Sequence, residues 1–413
     1  MPATRAFSGR ALCCAALVAA VFSVVLWSMS RAIRAHRLCV LREGLVVQGF
    51  PPDYAVRLAE LAYAHSAWRF EPLTIGDLPW DAIVDRECTP GWNLVARTTW
   101  APDDREHLGL GNYTPYYAEN ARTYDSGLWY QASRQAIAYF MDPRNFLNER
   151  DVFMFQTLTF DERLDTEDTV ERVLAPSFMG AANYDGGSRR FSELLVEVGR
   201  AQGLSAVFLA TRLVQEQGKG TVQTAGRIGD SLFEISTNET DRAGAVKVWG
   251  KTFAKGGKRT AAVLARGRAA YNGYYNFFNI GACGEGLFEI RYNAWKSAVS
   301  DETCQRYNGP WTSQERAIAG GAACLKKRYI ETRRETRYLQ KFSVRADAGT
   351  FRWKQYMQNI SAPLFEGRCA HGSYEASAAL SAPYRFLIPV YRQMPEMPAP
   401  DPAEGNSVCS PSD

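Results

Sequence analysis

Histidine is scarce in this chain, with four in 413 residues, all far apart, and no two cysteines stand in a C-x-x-C spacing. Zinc and the other sites built from clustered Cys and His are therefore excluded, and no metal or other cofactor is expected. Charge of one sign is lacking as well: 48 Lys and Arg against 44 Asp and Glu leave a net charge of +4, dispersed along the chain, which gives no footprint for nucleic acid. No internal repeat is present, so solenoids and arrays are set aside. Nine cysteines remain to be placed. Cys13 and Cys14 lie in an apolar run, and Cys39, Cys88, Cys283, Cys304, Cys324, Cys369 and Cys409 are an odd set that cannot all pair with one another.

Apolar and aromatic residues are plentiful. A chain that is 46% hydrophobic and 12% aromatic can fill the cores of two or three domains. Ala11 to Ser30 holds no charge, a length that spans a hydrocarbon layer of roughly 30 Å as a helix. Arg5 and Arg10 precede the run and Arg31, Arg34 and Arg37 follow it, so flanking charge does not orient it. With no small-residue cleavage site after it, the run reads as an uncleaved anchor with the rest of the chain outside the cytoplasm, and as a secreted protein if it is removed.

The chain beyond the anchor is organised around Ser205 to Gly220, SAVFLATRLVQEQGKG. Ser205 is a natural N-cap, and Gly218 and Gly220 stop the helix. On a 3.6-residue period Leu209, Leu213 and Glu216 fall on one face, so the glutamate continues an apolar stripe. A carboxyl there is desolvated in its charged form and keeps its proton to higher pH, as a general acid must. The plain alternative is a surface glutamate paired with Arg212 one turn earlier.

Around this helix, Asp53 is placed to cap a helix carrying Val56, Leu58, Leu61 and Ala62, Trp68 to Leu73 alternates as a strand, and Trp80 after Pro79 starts another helix. Pro143 ends a helix before it, Asn148 caps a second, and Phe191 to Gln202 forms a third. Thr89 to Gly127 reads as an irregular connection, and VKVWGKTF as a strand in a polar, glycine-rich lobe. That lobe holds Glu234 and Glu239, candidates for a second carboxylate. Tyr271 to Cys283, YNGYYNFFNIGAC, interleaves rings for stacking on sugar with amides and phenols for its hydroxyls, and is equally readable as an aromatic core turn. Thr312 or Ser313 caps a helix running to Ile330, with Ala317, Ile318, Ala322, Leu325 and Tyr329 toward the core. From Pro395 the composition predicts disorder.

Taken together, LVQEQGKG, YYNFFNIGA, WTSQERAIAGGA, TRYLQKFSV and KQYMQNISAP resemble the bacterial endo-β-N-acetylglucosaminidases of glycoside hydrolase family seventy-three, which cut peptidoglycan. GFPPDYAVRL and YFMDPRNFLNERDVFMF resemble the N-terminal part of the longer clostridial-type members. The resemblance implies a mainly α (α+β) fold, with a lysozyme-like helical core and a small β lobe. An α+β N-terminal region and a transmembrane helix precede it, giving 1–37 as anchor, 38–185 as N-terminal region, 186–395 as catalytic domain and 396–413 as a disordered tail. It also implies that Glu216 is the general acid and that Tyr275 serves catalysis. Asn276, Phe278, Asn279, Trp311 and Tyr338 would contact the glycan. Two departures stand out: Asn279 lies where many relatives carry Gly, and in TRRETRY Arg333, Arg334 and Arg337 replace a Gly, a Gln and a Leu.

The expected partners are peptidoglycan glycan strands, cut after N-acetylglucosamine, and a membrane through the N-terminal helix. The group opposite the acid is either a carboxylate such as Glu234 or Glu239, ~6.5 to 9.5 Å away for inversion, or the substrate's own acetamido oxygen steadied by Tyr275. A muramidase or lytic transglycosylase, and a non-catalytic wall-binding protein, are the alternative readings.

Overall fold

The computed structural model describes residues 9–96, 116–117, 121–124, 127, 129–217, 246–248, 251–253, 273–283, 287–342, 344 and 355–403, of which 9–21, 77, 246–248, 251–253 and 287–292 are described by backbone alone. Helices dominate and the sheets are small, as a mainly α architecture requires. Two long-range features assemble it. The first is a parallel pairing of strand β1 (Arg69–Pro79) near the start with β7 (Arg385–Arg392) near the end, in register from Arg69 on Arg385 to Thr74 on Val390. The second is one hydrophobic cluster that runs from Leu45 to Tyr391. The cluster crosses the expected boundary at residues 185 and 186.

Helix α1 (Gly9–Val47) continues ten residues past the expected anchor, because its later turns find a partner in α2 (Pro52–Ala64). Leu38, Leu41 and Leu45 pack into the core, Arg34 pairs with Glu60 at 2.8 Å, and its guanidinium lies over Tyr63. Among the described residues no helix is long and apolar enough to cross a membrane. The expected span Ala11–Ser30 lies partly outside the residues whose side chains are described; from Phe22 to Met29 its large apolar side chains face solvent. Pro51, not Asp53, stands at the N-cap of α2; Asp53 sits in the first turn and pairs with Arg144 at 3.0 Å.

Trp68 fills the seam between the two chain ends. Its indole is stacked on His65 at 3.9 Å and meets Phe153, Tyr384 and Phe386. Helix α3 (Trp80–Glu87) starts directly after Pro79, and β2 (Leu94–Ala96), β3 (Thr123–Tyr124) and β4 (Trp129–Gln131) form an antiparallel sheet in the order β2-β4-β3. Helix α4 (Arg134–Met141) ends before Pro143, and the second expected helix is a short 3₁₀ turn, Asp151–Phe155, with Arg150 and not Asn148 at its N-cap; the Asn148 side-chain oxygen accepts from the Arg150 and Asp151 N–H groups. After β7 the described residues have no regular secondary structure, but hydrogen bonds hold them. Arg144 donates to the carbonyls of Pro395, Glu396 and Met397, and Tyr116 donates to Asp401, so the chain is held through Asp401; residues 404–413 lie outside the described residues.

Helices α5 (Glu167–Leu174), α6 (Phe191–Gln202) and α7 (Ala206–Gln217) pack on one another, α6 with the predicted bounds. Beyond the hairpin of β5 (Val246–Val248) and β6 (Lys251–Phe253) come α8 (Leu287–Val299), α9 (Asp301–Arg306) and α10 (Gln314–Leu325). Ser313 caps α10 by accepting from the Arg316 N–H, and a π turn, Lys326–Ile330, completes the predicted helix. Helices α11 (Arg337–Lys341) and α12 (Ala362–Ala376) lead to β7. The cysteines at 39, 88, 283, 304, 324 and 369 are thiols.

Arg333 answers the question raised by TRRETRY. It adopts φ +61, the left-handed region that a Gly takes without strain, so the turn is kept at a conformational cost. Arg333→Gly is therefore expected to be about 1 kcal/mol more stable than Arg333→Ala, which loses the same side chain but keeps the strain. Urea unfolding of the pair measures the difference; equal midpoints would show that the backbone term is absent.

Candidate active site

Helix α7 is pinned at its start and stitched to a loop at its end. Ser205 caps it as expected, accepting from the Phe208 N–H at 3.1 Å. A second acceptor, Asp165, takes the Val207 N–H at 3.0 Å and the Ser205 hydroxyl at 2.8 Å, and the Ser205 N–H donates to Leu158. Asp165 thus lays a carboxylate on the positive end of the helix dipole, yet burial still pushes its pKa up to about 6. Leu209 and Leu213 are fully buried on the predicted face.

At the other end Glu216 is half-buried, open enough to touch a substrate. Burial pushes its carboxyl up to about 7, against the hydrogen bond from Asn279 and the cation of Arg212, while Glu366 adds to the rise. The plain alternative of a surface pair with Arg212 is not what forms. Arg212 is buried and ion-paired with Glu366 at 2.7 Å, and its guanidinium lies 3.7 Å from the ring centre of Tyr356.

The loop 275–281 closes over the helix end through three contacts. Asn279 Nδ2 donates to Glu216 Oε2 at 2.7 Å, Gln217 Nε2 donates to the Phe277 carbonyl at 3.1 Å, and the Tyr356 hydroxyl donates to the Phe278 carbonyl at 2.8 Å. Asn279 adopts φ +50; its short amide tolerates the left-handed region and here supplies a donor.

Of the expected glycan contacts, Asn279 alone is exposed at the carboxyl. Four others are buried. Asn276, 3% exposed, spends its amide on its own loop, donating to Ile280 and Ala294 carbonyls and accepting from the Ile280 N–H. Phe278, 1% exposed, lies against Gly321 of α10. Trp311 is buried, donates to the Tyr307 carbonyl at 2.7 Å, and braces the loop by accepting the Tyr275 N–H at 3.0 Å. Tyr338 is buried elsewhere, where its hydroxyl joins Met141 of α4 to Tyr391 of β7. Tyr275 is half-buried on the same loop, and the group that reaches Glu216 is Asn279. Glu234 and Glu239 lie outside the described residues.

Sequence reasoning missed Tyr356, Gln217 and Glu366. Tyr356 stands in KQYMQNISAP, a string read for its resemblance only, and the contact with Glu216 joins residues 140 positions apart. Among the described residues no group of His, Cys, Asp and Glu is arranged to hold a metal ion.

The arrangement is a carboxyl whose proton affinity burial raises, held at a helix end by one amide. Asn279→Gly keeps the backbone conformation and removes the donor that favours ionised Glu216, so the alkaline limb of activity is expected to move to higher pH, whatever the change in its height. A limb that moved down on a pH–rate profile would show that the amide serves the protonated form instead.

No family model matches the chain, and no curated protein matches it. Solved structures do. The chain is similar to S. aureus glucosaminidase B at 17% identity and a TM-score of 0.39, over 78% of this chain and 93% of that one. It is similar to a catalytic mutant of S. aureus autolysin E in complex with the disaccharide NAG-NAM at 15% identity and a TM-score of 0.40, over 77% and 97%. A structure of a major bifunctional autolysin is matched at 15% identity and a TM-score of 0.39, over 78% and 98%.

Proposed function

We propose that the chain is a peptidoglycan hydrolase, an endo-β-N-acetylglucosaminidase that cuts the β-1,4 bond after N-acetylglucosamine with Glu216 as general acid. The observation that carries the reading is the state of that carboxyl: half-buried, raised to about 7 by burial, and bonded by exposed Asn279 at the end of a helix. A glycosidic oxygen needs a proton as its bond breaks, and a carboxyl that keeps its proton near neutrality supplies one. Activity then falls as pH rises through about 7. With an N-acetyl group on the sugar, the acetamido oxygen, steadied by half-buried Tyr275, attacks the anomeric carbon as the glycosidic oxygen leaves with the Glu216 proton, and water then opens the intermediate; Glu234 or Glu239 is the alternative partner.

Membrane attachment belongs to the same reading. The uncharged run from Ala11 to Ser30 and the exposed apolar side chains from Phe22 to Met29 support an N-terminal tether that confines cutting to wall near the membrane. Fractionation checks it: the intact chain belongs with membranes, and recovery of a form lacking residues 1–30 in the medium would replace the tether by secretion.

Mass spectrometry of borohydride-reduced fragments tests the bond. Reduced N-acetylglucosamine ends are expected from the full chain and absent with Glu216→Gln. Muramic or anhydro-muramic ends would make it a muramidase or lytic transglycosylase, and no cleavage a wall-binding protein.

A further inference from the structure

The charges behind Glu216 exceed what an acid at a helix end requires. Arg212, Arg337 and Glu366 are each 2% exposed or less. Arg212 Nε lies 2.7 Å from one oxygen of Glu366, and Arg337 Nε lies 3.7 Å from the other. Two cations thus share one carboxylate, and the cluster carries one net positive charge. Neutral dipoles also face the cluster: Gln340 accepts from Arg212 at 3.1 Å, and Gln156 and Thr211 accept from Arg337 at 3.4 Å. Stability does not account for it, since replacing a buried ionic triad by apolar residues of similar volume is often neutral or stabilising. A Leu is what the resemblance implies at position 337.

The cluster abuts the acid. Arg212 is one helical turn before Glu216, and its guanidinium lies 3.7 Å from the ring centre of Tyr356, the residue whose hydroxyl donates to the Phe278 carbonyl in the loop that meets Glu216. Four groups face that carboxyl: Arg212 from α7, Tyr356 from the segment before α12, Glu366 from α12 and Asn279 from the loop. Asn279 does not titrate, and desolvation pushes the half-buried Tyr356 phenol far above its ordinary value, so it stays neutral. The balance of Arg212 and Glu366, with Arg337 behind it, is what remains to vary.

Resting on the reading of Glu216 as general acid, we propose that Arg212, Glu366 and Arg337 are positioning residues that act through it. The cluster holds Tyr356 in place and sets the field at the carboxyl, and with it the pH up to which the acid keeps its proton. Arg212 favours the ionised acid, Glu366 opposes it, and Arg337 draws part of the Glu366 charge away. The signs follow. Glu366→Gln leaves Arg212 uncompensated and moves the alkaline limb of the pH–rate profile down by about one pH unit. Arg337→Leu leaves Glu366 wholly to Arg212 and moves it up.

The test is the pH–rate profile of the full chain with each variant, beside a carbon-13 NMR titration of the Glu216 carboxyl, assigned by its loss in Glu216→Gln. Shifts in opposite directions are expected in both readouts; a purely structural role changes the amount of folded protein and moves neither limb. Where a single variant fails to fold, the combined Arg212→Met, Arg337→Leu and Glu366→Leu removes the charges at similar volume, and its limb is expected above the wild-type one. Superimposed titrations, or shifts of one sign for Glu366→Gln and Arg337→Leu, overturn the proposal. Titrations that move as expected in a chain that cuts no glycan overturn the hydrolase reading and leave the cluster's effect on Glu216 standing.

Discussion

Glu216→Gln is expected to lower glycan cleavage by roughly 10²- to 10⁴-fold and, at the same time, to make the folded protein more stable above neutral pH. The two effects have one cause. A carboxyl whose pKa rises on folding from 4.5 to about 7 binds its proton more tightly in the native state. Its contribution to stability is full below the unfolded value and is lost as pH rises from about 4.5 through about 7. Such a rise corresponds to on the order of 3 kcal/mol, and water at the half-exposed carboxyl reduces it, so a gain of about 1–2 kcal/mol is expected for the amide at pH 8. At pH 4 the gain disappears. Asp165, raised to about 6, adds a loss of the same sign between pH 4 and 6 in both proteins and cancels in the comparison. Urea midpoints at pH 4, 6 and 8 measure the effect. A Gln variant that is inactive and less stable at every pH would mean that Glu216 serves the fold.

The second large effect is expected far along the chain from the acid, at Gly320. A methyl group there would sit 2.0 Å from the Tyr307 carbonyl oxygen and 2.2 Å from Trp311 Nε1, two groups already bonded to each other. Neither is the free end of a flexible side chain, so the backbone of α9 and its following turn must move. Gly320→Ala is therefore expected to destabilise by about 3 kcal/mol, at the upper end for one added methyl, even though Ala is the better helix former by about 1 kcal/mol. Gly321→Ala meets the Phe278 ring at 2.3 Å and displaces the loop that carries Asn279, so it is expected to cost less stability and more activity. Unfolding midpoints and kcat measured side by side separate the two. A Gly320→Ala protein within 0.5 kcal/mol of wild type would show that α10 and Trp311 do not pack so closely.

These glycines also show where a one-dimensional reading stops. The helices around the site were legible because each carries its own punctuation: Ser205 and Ser313 as caps, Pro143 as a stop, Pro79 before Trp80, and an apolar stripe that repeats every 3.6 residues. Glu216 was legible for the same reason, as the polar residue that prolongs an apolar stripe. What residues 275–281 and the positions singled out at 311 and 338 do was not. Asn276, Phe278, Trp311 and Tyr338 have the chemistry of sugar contacts, but burial decides whether an amide or a ring meets solvent, and burial is a sum over neighbours distant in the chain. The same holds for Arg212. Local spacing offered it Glu216 one turn away, whereas the folded protein gave it Glu366, 154 residues on, in a site where removing water makes the pairing compulsory.

Residues close in the chain set the helices α6, α7 and α10, the Ser205 and Ser313 caps and the place of the carboxyl at the end of α7, because hydrogen bonding and side-chain periodicity within a helix involve residues no more than four apart. Packing between distant parts of the chain set the rest: β1 pairs with β7, the tail is held through Asp401, and Asn279 and the Arg212–Glu366–Arg337 cluster come together around Glu216. Each of those contacts joins parts of the chain whose approach is set by packing of the shared core, and the proton affinity of the acid, a property of its surroundings, comes into being only there.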